Sequence, residues 1–127
     1  MTRKPASISS SGNPFADLGM TDPDLRLAKA KLAQKITAIM REQELTQVQL
    51  AEILGVDQPQ VSRITRGRLS DFSIDKLMEL VKRLNQDIEI SVRQNPEPSR
   101  PARMVVTYPE GSIAADGPGS VERVRFD

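Results

Sequence analysis

The period of the apolar positions changes along this chain. Between residues 22 and 44, Leu25, Ala28, Leu32, Ile36, Ile39 and Met40 recur every three or four residues, while Lys29, Lys31, Lys35 and Arg41 lie mostly off that stripe. This spacing puts the apolar residues on one face of an amphipathic helix. Residues 47–54 (Leu50, Ile53, Leu54), 58–66 (Val61, Ile64) and 74–84 (Leu77, Leu80, Val81, Leu84) repeat the pattern and predict three more helices. After Asn85 the period drops to two. Ile88, Ile90 and Val92 alternate with Asp87, Glu89, Ser91 and Arg93, which predicts a half-buried strand. Residues 104–108 offer a second strand and residues 121–126 a weakly specified third. A lone strand is unstable, so each is expected to pair with another, with a second copy of the chain or with a different protein.

Side-chain chemistry marks the same helix starts. Thr21, Thr46, Asp57 and Ser73 each precede a helical pattern, and their side-chain oxygens can accept from an orphan amide of the first turn. Asp24, Gln49 and Gln60 stand three residues after the first three and can reach back to the cap's own amide; Lys76 cannot do so for Ser73. The pairs Met20/Leu25, Leu45/Leu50, Val56/Val61 and Phe72/Leu77 bracket the caps as hydrophobic staples. Pro59 falls in a first turn, where its missing N–H costs nothing. Gly67 can supply a left-handed stop to the third helix.

With 127 residues the chain is long enough for one modest domain with tails. Aromatic residues are only 3% of it, so the core must rest on Leu, Ile, Val and Ala. The reading divides the chain into an arm (residues 1–19, partly disordered), a helical domain (20–86), a strand segment for dimer or partner pairing (87–108) and a tail (109–127). In the arm, Phe15 and Leu18 are apolar anchors in a polar stretch. They either plug a groove on the chain's own core or bind a partner. There is no Cys and no His, which excludes disulfides, thiol chemistry and the usual zinc sites, and no cofactor is expected. No constellation of carboxylates, Ser or Lys suggests catalysis, so an enzyme is not expected. No apolar run approaches the roughly 20 residues that cross a bilayer, and the polar start has no signal-like apolar stretch, so a cytoplasmic protein is expected. The net charge of +1 says little, but residues 58–68 hold Arg63, Arg66 and Arg68 and no acid. Such a cluster neutralises phosphates locally.

Ala51, Gly55 and Val61 then complete a pattern. Two helices joined steeply by a short turn need a small residue at the close approach, a residue free to turn left-handed, and an apolar residue locking the second helix onto the first. These three meet those needs at intervals of four and six, with Leu50, Leu54, Val56 and Ile64 around them. In such a helix-turn-helix the second helix enters the major groove of DNA. Gln58, Gln60, Ser62, Arg63, Arg66 and Arg68 are not used by the core. Gln pairs bidentately with adenine and Arg with guanine, so Gln58, Gln60 and Arg63 are candidates for base edges, with Ser62 able to serve base or phosphate. Thr46, Gln47, Arg66 and Arg68 suit phosphates. Gln60 has a competing use in its cap, and Arg68 one as a solvated charge.

The stretch from Thr46 to Ile64, TQVQLAEILGVDQPQVSRI, resembles the XRE family, the phage-repressor type of helix-turn-helix. Together with Asn13-Pro14-Phe15-Ala16-Asp17-Leu18-Gly19 and with Arg66-Gly67-Arg68 followed by Phe72-Ser73, it is similar to the HigA-type antitoxins. The resemblance runs from about residue 13 to 92. It implies a phage-repressor-like helical bundle, and with the alternating run and loop-rich residues that follow, the expected fold is mainly α: that bundle followed by a short β segment and an irregular tail. It also implies that Gln58, Gln60, Ser62 and Arg63 face double-stranded operator DNA, that the protein is a homodimer repressing its own operon, and that a RelE-like toxin is its partner. Ile88, Ile90 and Val92, with Phe15 and Leu18, are the candidate partner contacts. The tail after Arg93 has no counterpart in the pattern. A stand-alone regulator without a toxin, and a protein-interaction module that has lost DNA binding, are the other readings.

Overall fold

Side-chain caps set the helix boundaries in the computed structural model of the chain, which describes residues 12–109. Five helices follow in order: α1 (Pro14–Asp17), α2 (Pro23–Glu42), α3 (Gln47–Leu54), α4 (Gln58–Thr65) and α5 (Ile74–Arg83). Two capping boxes close as expected. Thr46 Oγ1 accepts from the Gln49 amide at 3.1 Å, and Gln49 Oε1 accepts from the Thr46 amide at 2.8 Å. Asp57 Oδ1 accepts from the Gln60 amide at 2.9 Å, and Gln60 Oε1 from the Asp57 amide at 3.3 Å. Ser73 Oγ caps α5 through the Lys76 amide at 3.0 Å, without the reciprocal bond.

The expected cap at Thr21 does not form. Asp22 is the residue before α2, at φ 49, and no side chain caps that end. Pro23, the first helical residue, has no N–H to be capped and pushes the residue before it out of the helical region. Asp24, expected to reach back to Thr21, instead accepts the Met104 amide on Oδ2 at 3.1 Å.

The stripe on α2 buries Ala28, Leu32, Ala33, Ile36 and Ile39. These join Leu50, Leu54, Val61, Ile64, Leu77, Leu80, Val81 and Leu84 in one core, with Phe72 its buried aromatic ring. α2 packs against α5 and α4, and α3 against α4. α1 folds back on α2 through Asn13, whose Oδ1 accepts from the Phe15 amide at 2.9 Å while its Nδ2 donates to the Pro23 carbonyl at 2.9 Å. Phe15 is half-buried in this hairpin, whereas Leu18 remains 76% exposed. The two arm anchors therefore separate: one sits against the protein, the other faces solvent.

No strand is found among the described residues, which corrects the expected β segment. Residues 87–94 belong to no helix or strand, and none of their main-chain groups is hydrogen-bonded within the described residues. Ile88 leans on the core, Ile90 is 76% exposed and Val92 92%. A strand exists only when another backbone pairs with it, and among the described residues none pairs with this alternating run.

The Pro-rich connector bends at Asn95, whose Oδ1 accepts from the Glu97 amide and whose Nδ2 donates to the Arg100 carbonyl. The chain then returns along α2. Lys31 Nζ donates to the Val106 carbonyl at 3.1 Å, Val106 packs against the core, and the Tyr108 hydroxyl donates to the Lys31 carbonyl. Lys35 Nζ lies 5.7 Å from the centre of the Tyr108 ring. Asp24, Lys31 and Lys35 share one helix face, so the expected second strand is instead a strap across α2.

Burial pushes the Tyr108 hydroxyl up to about 12. Its folded value lies above its unfolded one near 10, so the strap's contribution is complete below that pH and is lost as pH climbs toward 12. Tyr108 is the single tyrosine of the chain, so tyrosinate absorbance reads it directly. A midpoint near 12 is expected; a midpoint near 10 would show the strap undocked in solution.

The expected disorder of residues 1–11, the strand at 121–126 and the tail from 110 onward lie outside the described residues. No helix among the described residues is long and apolar enough to cross a membrane.

Candidate nucleic-acid interface

Three residues, Gly55, Val56 and Asp57, join α3 to α4. The Ala51 carbonyl accepts from both the Gly55 and Val56 amides, at 2.9 and 3.1 Å, which closes α3 and turns the chain sharply. Gly55 stands at φ +72, and a Cβ there would lie 2.5 Å from Arg83 Nη1. Glycine is needed for the left-handed backbone, whereas a Cβ would only displace the movable end of the Arg83 side chain. Arg83 Nη1 donates to the Leu54 carbonyl at 3.2 Å, and its Nη2 pairs with Glu79 at 3.2 Å. Arg83 thus fastens α5 to the end of α3. The sequence offered no sign of this contact, which spans 29 positions.

Val61 and Ile64 are buried at 0% and 1% exposure and anchor α4 to the core. Their burial fixes which side chains α4 presents outward. Gln58 is exposed at the first helical position, Ser62 and Arg63 are half-buried, and Arg66 and Arg68 are exposed at the far end. Gly67 at φ +75 closes that end. The Arg68 amide donates to the Arg63 carbonyl at 2.8 Å and the Gly67 amide to the Ile64 carbonyl at 3.1 Å, a Schellman motif. It holds Arg66 and Arg68 beside the helix terminus instead of leaving them on a loose loop.

The candidate readers differ in how free they are. Gln60 is half-buried and its Oε1 is engaged by the Asp57 amide, so only its Nε2 can donate while the box holds. Bidentate pairing with adenine would require opening that box. Thr46 is likewise spent on the Gln49 amide. Gln47 occupies the first position of α3, where first-turn amides lack intrahelical acceptors and favour an anion. Arg63 is the distinctive case. Its Nε is shielded from water and has no hydrogen-bond partner among the described residues. An unsatisfied buried donor costs about 1–3 kcal/mol, so the side chain gains by swinging out to an acceptor.

The candidate partner residues lie on separate elements. Phe15 and Leu18 belong to the α1 arm, while Ile88, Ile90 and Val92 follow α5. Beside the latter runs an open groove lined by Asp75, Met78, Glu79, Lys82, Asp87 and Glu89, among others. No group of three or more Asp, Glu, His or Cys among the described residues is placed to hold a metal.

Residues 14–93 match a family described as a helix-turn-helix domain. A solved structure described as an XRE-family transcriptional regulator superposes with a TM-score of 0.64 at 36% identity, covering 68% of this chain and 98% of that one. The chain belongs to the XRE family of helix-turn-helix transcriptional regulators. The family match runs from the start of α1 to Arg93, so in this XRE-family protein it takes in α1 and the alternating run after α5 as well as the turn. No curated protein matches the chain at a significant level.

Proposed function

We propose that this XRE-family protein is a repressor that binds a palindromic operator as a homodimer, in the cytoplasm and without catalysing a reaction. The observation that carries the reading is α4. It is anchored by Val61 and Ile64, capped by Asp57, and presents Gln58, Ser62, Arg63, Arg66 and Arg68 with no acid after the cap. In a dimer two such helices about 34 Å apart would enter successive major grooves, and occupancy would block transcription. Gln58, Arg63 and Ser62 read bases in this reading, with Gln60 contributing its free donor. Thr46, Gln47, Arg66 and Arg68 hold phosphates.

The finer reading makes it the antitoxin of a type II toxin–antitoxin pair, with a RelE-like toxin as partner. The arm sequence from Asn13 to Gly19 and the DQPQVSR stretch support it by their resemblance to HigA-type antitoxins. The exposed Leu18 is a contact such a partner could use. The second reading, a stand-alone regulator, is favoured by the solved relative, which is described as a transcriptional regulator.

The first experiment is fluorescence anisotropy on DNA from upstream of the gene against scrambled DNA at several salt concentrations. Selective binding that weakens with salt is expected. Equal, weak binding to both would overturn the repressor and move a pure interaction module forward. Leu18→Arg beside the wild type, together with co-purification of the neighbouring gene's product, separates the finer readings. Toxin capture lost with operator binding kept is the antitoxin result; no co-purifying partner for the full chain is the stand-alone result.

A further inference from the structure

We infer that residues 87–93 are the contact between two copies of this chain, paired antiparallel with the two-fold axis at Ile90. The inference rests on the homodimer of the preceding reading and supplies its register. The segment has the alternation of a strand without a mate: it belongs to no helix or strand, and its amides and carbonyls are free of hydrogen bonds within the described residues. Ile90 and Val92 are exposed and alternate in the sequence with the same period as Ile88, which touches the core. An exposed apolar edge of this kind is a template for another strand.

The segment is complementary to itself. A two-fold axis at Ile90 sets Asp87 opposite Arg93 of the second copy, Ile88 opposite Val92, Glu89 opposite Ser91, and Ile90 opposite its own counterpart. Every apolar residue meets an apolar one, and the two charged ends meet with opposite sign on both sides of the axis. Moving the axis by one residue to Ser91 would pair Glu89 with Arg93 but set Ile88 against Gln94. Moving it to Glu89 would oppose two carboxylates. The surroundings favour the first register further. Asp87 lines the groove beside α5 with Asp75, Glu79 and Glu89, against Lys82 as its basic residue. Arg93 of the second copy arrives at that acidic rim.

The test is sedimentation at micromolar concentration, with circular dichroism confirming that each variant folds. Asp87, Ile90 and Arg93 are all exposed, so their substitution leaves the core intact. Wild type is expected to be a dimer. Asp87→Arg and Arg93→Asp each oppose like charges twice per dimer and are expected to raise the dimer dissociation constant roughly tenfold. The double variant D87R/R93D is expected to recover, as is an equimolar mixture of the two single variants. Ile90→Lys, which sets two ammonium groups on the axis, is expected to be monomeric. A dimer indifferent to these changes, or one rescued by E89R/R93D instead, overturns the register and leaves the homodimer standing. A monomeric wild type overturns both and assigns the edge to a different protein.

Discussion

Arg63→Ala is expected to weaken operator binding by about 1–3 kcal/mol, roughly 5- to 150-fold, and to relax selectivity at the base pair it reads. The expectation follows from position and from bonding. Val61 and Ile64 fix the rotation of α4, which leaves Arg63 beside the outward face with its stem half-buried and its Nε unsatisfied. A planar guanidinium with nothing to hold it is suited to the paired acceptors of a guanine edge. Arg63→Lys should not rescue, because an ammonium cannot reproduce a bidentate contact. Arg66→Ala and Arg68→Ala should behave differently, weakening operator and scrambled DNA alike and lowering the salt slope by about one each. Anisotropy across a salt series distinguishes the two classes. If Arg63→Ala weakens both DNAs equally, Arg63 is a phosphate contact, and Gln58 and Ser62 are left to read the sequence.

Leu50→Ala should lower the unfolding free energy by about 2–5 kcal/mol. Leu50 is fully buried on α3, one turn beyond the Thr46 cap, and belongs to the cluster against which Leu45 packs. The core is small and almost wholly aliphatic, so few neighbours can move in to fill the space. Domains of this size are stable by only about 5–15 kcal/mol, so the loss would be a large part of the total. At about 4–8 °C per kcal/mol the melting point should fall by roughly 10–40 °C, measured by thermal denaturation followed by circular dichroism. Leu18→Ala is the control: the side chain is 76% exposed, and a change within about 0.5 kcal/mol is expected. A loss under about 1 kcal/mol at Leu50 would show that the interior closes over the cavity.

The helices of the central domain were legible because their signals are local. A Thr or Asp cap with Gln three residues on, and apolar residues at three- and four-residue steps, act within one or two turns of the same segment. Thr46, Asp57 and Ser73 therefore cap as expected, and Val61 and Ile64 are buried as expected. The start of α2 was misread because proline at its first position overrode the Thr21 cap. The one-turn helix α1 was missed, although Asn13 caps it locally and Pro14 opens it, because four residues are too few to show an apolar period.

The candidate site divides in the same way. Its residue types were readable from the turn pattern, but their availability was not. Gln60 and Thr46 are partly spent on caps, whereas Arg63 is unspent, and only the packed helix separates those cases.

By itself, then, the sequence determined four of the helices, the turn between α3 and α4, and the face that α4 turns outward, because periodicity, capping and glycine act over a few residues. Only the tertiary structure decided that Arg83 fastens α5 to the Leu54 carbonyl, that Leu18 and Phe15 part company, and that residues 103–108 lie along α2 as a strap. It also decided that the alternating run after α5 finds no mate among the described residues. These contacts join residues tens of positions apart, and a local pattern carries no information about which distant surface will meet it.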